Sequence, residues 1–239
     1  MCIRDRVYHL ELGRFFNVLD KGDSVISHAD QVISSHSRLR ETGLIREAYI
    51  LKASGLAMKF RYDEAEGYLK KAIALSDSNS TSYLRASIIR GKIRFNQGDY
   101  PGALNYWRNI LETGRSIGYR FDLGQLLLDV GEAYEEQGFW KIASEFLDRA
   151  IEIAENSSFH YLKGEVLFEK GWIAYRSGNS GKALMIVDEA EREFRDCGQK
   201  IKLAGCNNLR GQIWMGRGNY DSALYFHLSA LAVRETTGN

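Results

Sequence analysis

Residues 131–150 read GEAYEEQGFWKIASEFLDRA. A glycine opens the stretch, a second follows seven residues later at Gly138, an aromatic stands at Trp140, and alanines come at Ala143 and Ala150. The pattern recurs every forty residues. Gly91 and Gly98, Gly171 and Gly178, and Gly211 and Gly218 keep the same spacing, with Ala103, Ala183 and Ala223 five residues beyond each second glycine and Ile110, Ala190 and Ala230 seven further on. A fixed period of this size marks like supersecondary units stacked in a row, so function is expected on a shared surface and not in one catalytic pocket.

Each period divides into two amphipathic stretches of about fifteen residues. Between them lies a short turn holding Gly98-Asp99, Gly138-Phe139, Gly178-Asn179 or Gly218-Asn219. The prediction is a helical hairpin, with helix A from about Phe121 to Gln137 and helix B from about Trp140 to Asn156 in the unit quoted above. An interior glycine costs a helix ~1 kcal/mol relative to alanine, so Gly91, Gly131, Gly171 and Gly211 need a reason at each recurrence. Close approach of the partner helix supplies one, with Ala103, Ala143, Ala183 and Ala223 as the small facing surface. Pro101, the only proline, falls in the first turn of its B helix, where no intrahelical N–H bond is lost.

These residues resemble the tetratricopeptide repeat family. Its pattern has glycine or alanine at repeat position 8, an aromatic at 11, glycine at 15, an aromatic at 17, alanine at 20, a bulky residue at 24 and alanine at 27. With Gly131 as position 8, Tyr134, Gly138, Trp140, Ala143, Leu147 and Ala150 fill those places. The last unit matches through Gly211, Trp214, Gly218, Tyr220, Ala223, His227 and Ala230. Upstream, Ala53, Phe60, Tyr62, Ala65, Leu69 and Ala72 follow the pattern with Phe60 where the turn glycine belongs, and Gly22, Ser27 and Ser34 point to a degenerate first unit.

The resemblance implies an all-α fold, a right-handed α-solenoid of stacked antiparallel hairpins with about six repeats and twelve helices. The expected units are 7–43, 44–79, 80–118, 119–158, 159–198 and 199–239. Residues 1–6 resemble a translated adapter remnant and are read as a non-native leader. Two departures stand out: the period is 40 instead of 34, and the helix-ending proline near position 32 is missing. In addition, position 7, usually leucine, is Arg90, Lys170 and Arg210 in three units, so Ile89, Ile93, Ile173 and Ile213 are expected to carry the packing there.

The 32 basic residues nearly cancel the 31 acidic ones, which gives no overall basic footprint for nucleic acid. Residues 1–120 hold 19 basic against 13 acidic side chains and the remainder 13 against 18, a drift read as variation along a solvated helix surface. Cys2, Cys197 and Cys206 form no CxxC pair and suit a reducing compartment. No apolar run of about 18 residues and no apolar signal core is present, so the expected location is the cytoplasm, with no membrane partner.

No phosphate-binding loop, zinc-protease motif or nucleophile elbow occurs. The five histidines look scattered, and His28 and His36 lie two helical turns apart, too far for joint metal ligation. The pairs Glu135-Glu136 and Glu64-Glu66 are read as solvated faces, and Tyr100, Tyr134, Trp140, Trp214 and Tyr220 as core. No catalytic residue, cofactor or metal is therefore expected, and the chain is read as not being an enzyme.

The resemblance places ligand contacts at positions 2, 5, 9 and 12 of the A helices, which share one helical face. Carried onto this chain, they are Arg85, Ile88, Lys92 and Phe95, then Gln125, Leu128, Glu132 and Glu135. Glu165, Phe168, Trp172 and Tyr175 come next, followed by Asn208, Gln212 and Met215. The quartet Glu165, Phe168, Trp172 and Tyr175 stands out as an apolar anchor rimmed by charge. Position 5 is Ile88, Leu128, Phe168 and Asn208, without the Lys/Asn pattern of carboxylate clamps, so an extended or helical peptide is the expected ligand. Two functional readings follow: a protein-binding scaffold, or the sensory segment of a larger bacterial regulator, histidine kinase or nucleotide cyclase. Tyr220 to Arg234 is apolar around much of its circumference, like an interior helix, and is expected to be covered by a further repeat or by self-association.

Overall fold

A computed structural model describes residues 3–18, 21–35, 42–77, 80–113 and 120–237. Among them are twelve α-helices: α1 (Ile3–Val18), α2 (Gly22–Ser34), α3 (Thr42–Met58), α4 (Tyr62–Ala74), α5 (Thr81–Asn96), α6 (Tyr100–Thr113), α7 (Arg120–Glu136), α8 (Trp140–Asn156), α9 (His160–Arg176), α10 (Ser180–Asp196), α11 (Lys200–Gly216) and α12 (Tyr220–Thr237). The chain forms two compact units, Met1–Gly118 and Tyr119–Asn239. Each is a stack of three antiparallel hairpins, in which every B helix packs on the next A helix and successive A helices also touch. The predicted A and B helices of residues 119–158 lie within one residue of α7 and α8.

The turn glycines close the A helices. Gly98, Gly138, Gly178 and Gly218 all have φ between 75° and 84°, a left-handed conformation that costs glycine nothing. The next residue's N–H then reaches back to the last turn: Asp99 N to Arg94 O, Phe139 N to Tyr134 O, Asn179 N to Ala174 O and Asn219 N to Trp214 O, each at 2.8–3.0 Å. Three of those residues also open the B helix. Asp99, Asn179 and Asn219 accept from the amides of Gly102, Lys182 and Ser222 at 3.0–3.1 Å. At Phe60 the same turn is made with φ 59° by an aromatic residue that is 75% exposed.

The interior glycines mark where a bulky B-helix residue crosses the A helix. A Cβ on Gly91 would lie 2.0 Å from Trp107 Nε1, on Gly131 2.8 Å from Leu147, on Gly171 2.9 Å from Val187 and on Gly211 2.6 Å from His227. The expected alanines are buried, but the nearest neighbours of the glycines are other side chains: Ala143 O would be 3.4 Å from the Gly131 Cβ and Ala183 O 3.9 Å from that of Gly171, both farther than the facing B-helix residue. It is therefore the side chain sixteen residues on that fills the space without a Cβ.

The cations at position 7 have a partner of their own. Arg90 bonds Glu66 on the preceding B helix at 2.5 Å, Lys170 bonds Asp148, and Arg210 bonds Asp188 at 2.7 Å and Glu191. Lys52, at the same repeat position, bonds Asp30 of α2 at 2.5 Å. A cation thus clasps consecutive hairpins where the family pattern packs leucine, and Arg210 does so while only 7% exposed. Of the four isoleucines expected to carry the packing there, Ile93 and Ile213 are buried, while Ile89 and Ile173 are only half-buried.

Candidate functional site

Helix α9 lies between α7 and α11 in the second unit. It buries Leu162, Val166, Leu167 and Ala174 toward the hairpin core, which leaves Glu165, Phe168, Trp172 and Tyr175 on the adjoining A-helix face, all half-buried. Phe168 and Trp172 meet edge to face at 6.4 Å and Trp172 and Tyr175 at 6.0 Å. The three rings form one continuous row. Tyr175 donates its hydroxyl to Gln212 O at 3.1 Å, so α11 holds one end of the row. Glu165 is paired with Lys202 of α11 at 2.9 Å, and the Arg176 guanidinium stands 5.6 Å over the Trp172 ring.

The other expected contact residues divide. In α11, Gln212 is half-buried and Met215 is 45% exposed, while Asn208 turns toward its own hairpin, with Oδ1 3.4 Å from His227 Nδ1. In α7, Gln125 is half-buried and bonds Asp129 at 3.4 Å, and Glu132 is half-buried. Leu128 and Glu135 are 0% and 3% exposed, so neither offers a ligand surface. Helix α9 packs directly against α7, and the contact between successive A helices closes over part of the face that the repeat pattern leaves open.

Glu135 is therefore not on a solvated face. Arg176 Nη1 comes within 3.1 Å of its Oε1, yet that oxygen accepts no aligned hydrogen bond. Burial pushes the Glu135 carboxyl up to about 7 against the pull of Arg176, with Glu136 and Glu132 adding to the rise.

In the first unit, Arg85, Ile88, Lys92 and Phe95 are half-buried on α5. Lys92 Nζ sits 4.8 Å from the Phe95 ring centre, and the Ile88 carbonyl accepts from Trp107 Nε1 at 3.1 Å. Arg85 is engaged by Glu47 at 3.1 Å, a carboxylate that also accepts from Arg14 at 3.0 Å and Ser82 at 2.6 Å. Burial raises the Glu47 carboxyl, but Ser82, Arg85 and Arg14 together hold it below its ordinary range. This network ties α1, α3 and α5 together, so Arg85 serves the stack.

Three readings of single residues need correction. Trp140 and Tyr220, expected in the core, are 38% and 71% exposed. Their rings follow directly on the turn, outside the hairpin contact. The histidines are not all scattered: His9 Nδ1 and His28 Nδ1 lie 2.9 Å apart, with Phe16 stacked on His28. Burial and the neighbouring His9 lower the His28 pKa. His36 and Cys2 lie outside the described residues. Cys206 is buried, its thiol pushed up to about 12 by desolvation, which suits a packed side chain and not a nucleophile.

Sequence reasoning missed the clasps. The signal was there in the separation of 22 residues between cation and acid in Lys52 and Asp30, Lys170 and Asp148, and Arg210 and Asp188.

Stacked antiparallel hairpins with an aromatic row on the A-helix face define an all-α repeat protein built to present a side-chain surface. The tetratricopeptide repeat family model matches residues 122–192, and the chain is a repeat protein of tetratricopeptide type. It is 24% identical over 189 residues to the regulatory protein RapG of Bacillus subtilis (strain 168), a match covering 75% of this chain and 52% of that one. The chain thus spans about half the length of that relative. Among solved structures it resembles a Rap protein complexed with competence and sporulation factor, with TM-score 0.79 and 13% identity over 99% of this chain and 67% of that one. NprR in complex with its cognate peptide NprX gives TM-score 0.70 and 18% identity, covering 96% and 67%. Aspartyl phosphate phosphatase F from Bacillus subtilis gives 0.68 and 17%, covering 89% and 57%. At these identities the likeness is one of fold. Among the described residues, no helix is long and apolar enough to cross a membrane.

Proposed function

We propose that this chain is a non-catalytic scaffold that binds a peptide or helix of a partner protein on the A-helix face of its second unit. The row of Phe168, Trp172 and Tyr175 carries the reading: three half-buried rings in edge-to-face contact offer an apolar anchor, rimmed by the Glu165–Lys202 pair, Arg176 and Gln212. Two proteins of the same fold were solved with a competence and sporulation factor and with a cognate peptide, which supports a peptide ligand here. The likeness to a phosphatase is one of fold and brings no catalytic group with it.

A second reading, the regulatory segment of a larger cytoplasmic signalling protein, draws support from the regulatory relative, of which this chain matches about half. Both readings use the same face. Panning a random peptide library against the chain, with Trp172→Ala as the counter-selected control, tests it. The expected outcome is a set of peptides with an apolar anchor that bind the wild type at least about tenfold more tightly than a variant of unchanged helicity. Peptides indifferent to Trp172, or unfolding of the variant, would remove Trp172 from the surface and sink the assignment.

A further inference from the structure

The α9–α10 hairpin carries small residues at places that every other hairpin from α3 onward fills with large ones. Where Ala174 stands, the others hold Leu56, Arg94, Tyr134 and Trp214, and twelve residues on, at the place of Ile186, they hold Tyr68, Tyr106, Phe146 and Phe226. In the α7–α8 hairpin the two side chains form a stack, with the Tyr134 and Phe146 rings 5.6 Å apart and 11° from parallel. Ser177 likewise stands where the others have Lys59, Gln97, Gln137 and Arg217. The consequence is a cavity of about 150 Å³ that Ser144 of α8 shares with α9 and α10, its apolar lining made by Ile173, Ala174 and Ile186.

The polar lining is cationic and rich in donors. Lys170 and Lys182 both line the cavity, and no carboxylate does. Lys170 is shared with Asp148, so the exposed Lys182 supplies the net charge. Asn179 spends its side-chain oxygen on the Lys182 N–H at 3.1 Å, which leaves its amide NH2 to donate, and the Ser144 hydroxyl adds a further donor. The Ser177 hydroxyl is engaged within its own helix turn, donating to Ala174 O at 3.0 Å. Donors beside aliphatic carbon call for a flat apolar body with an anionic end. A drug-sized ligand needs ~300 Å³ or more, so this space suits a single ring and its charged group.

We propose that this cavity binds a small aromatic carboxylate, with the ring in the place that Tyr134 and Phe146 fill one hairpin earlier and the carboxylate on Lys182, Asn179 and Ser144. The ring removes Ile173, Ala174 and Ile186 from water, and the ammonium gives the carboxylate a charge-assisted hydrogen bond. Neither part alone defines the ligand: the apolar lining selects the ring, and the lysine selects its charge. Ala174 lies on the side of α9 that faces the hairpin core, whereas Trp172 and Tyr175 lie on the A-helix face. The site is therefore separate from the aromatic row, and either can fail without the other.

Benzoate is the probe, titrated into the 15N-labelled 239-residue chain and followed by amide chemical shifts. Binding at roughly millimolar concentration is expected for a ligand of this size, with the shifts centred on residues 144, 173–179 and 182–186. Benzyl alcohol, which keeps the ring and lacks the charge, should bind about tenfold more weakly. Lys182→Gln, a change at an exposed side chain, should weaken benzoate by about the same factor. Ala174→Tyr restores the residue of the α7–α8 hairpin and should abolish binding with the circular dichroism unchanged; should that variant lose helicity, Lys182→Gln and benzyl alcohol decide. The absence of shifts far above millimolar benzoate overturns the inference, as do shifts centred on Phe168 and Trp172. Benzyl alcohol that binds as well as benzoate, or benzoate indifferent to Lys182→Gln, overturns it equally by removing the anion from the contact.

Discussion

Replacing Gly91 and Gly67 by alanine makes one chemical change in two helices of the same unit, and the structure predicts opposite signs. Gly67 lies in α4 with nothing within 4 Å of an added Cβ. Alanine there gains only helix propensity and a more restricted unfolded chain, a stabilisation of about 0.5–1 kcal/mol. At Gly91 of α5 the new Cβ would fall 2.0 Å from Trp107 Nε1 and 2.4 Å from Cε2. Trp107 is fully buried, and its indole donates to Ile88 O at 3.1 Å. Displacing it forces overpacking of about 1–3 kcal/mol and strands a buried donor for about 1–3 kcal/mol more, against ~1 kcal/mol of propensity gained. The net is a loss of roughly 2–4 kcal/mol, and the two variants should stand about 3–5 kcal/mol apart. Urea unfolding followed by circular dichroism and by tryptophan fluorescence measures both. Trp107→Leu, the residue that faces Gly131 from position 147, should recover part of the Gly91→Ala loss. Equal stability of the two alanine variants would refute the argument that the recurring glycines exist for close packing.

Two further outcomes follow from strain and charge. Phe60→Gly should stabilise the chain by about 1 kcal/mol in the same urea measurement, because an exposed aromatic at φ 59° gives way to the residue used at Gly98, Gly138, Gly178 and Gly218. The buried Glu135, with its pKa raised to about 7, holds its proton more tightly folded than unfolded. Its contribution is therefore fully present below about pH 4.5 and lost as pH rises to about 7, on the order of 2–3 kcal/mol across that window. Glu135→Gln should flatten that slope and exceed the wild type at pH 8, and identical pH profiles for the two proteins would count against a buried, protonatable Glu135.

How much of this was open to a reader of the sequence depends on whether a feature is set within one hairpin or between hairpins. The forty-residue period located α7 and α8 to within a residue because turn chemistry is local. Gly138 and Gly178 sit at positive φ, and Asn179 and Asn219 cap helices a few residues away. Position-7 cations are different. Arg210 breaks the family's leucine, and its meaning rests on Asp188 and Glu191 in another hairpin, which periodicity alone does not pair with it. The candidate surface suffers the same way. Phe168 and Leu128 hold the same repeat position, forty residues apart, yet one is half-buried beside Trp172 and the other is fully buried. A repeat pattern assigns equivalent places, but neighbours decide exposure, and neighbours differ from hairpin to hairpin.

The same reasoning gives the cations a role beyond holding the stack. A leucine-to-leucine contact between hairpins is non-directional and tolerates sliding along the helix. Arg210 cannot slide, because its Nε and Nη2 bond Asp188 Oδ1 at 3.2 and 2.7 Å while Nη1 bonds Asn207 at 3.1 Å and Nη2 also reaches Glu191. The guanidinium thus fixes the register of α11 on α10, and with it the position of Gln212 O, which receives the Tyr175 hydroxyl. Burying an ion pair adds little net stability, so what this one supplies is direction. Here the geometry it specifies is that of the aromatic row: the clasp on one side of α11 sets where the other side meets Tyr175. The residues that break the repeat pattern are therefore coupled to the surface proposed to bind, through one helix that both of them touch.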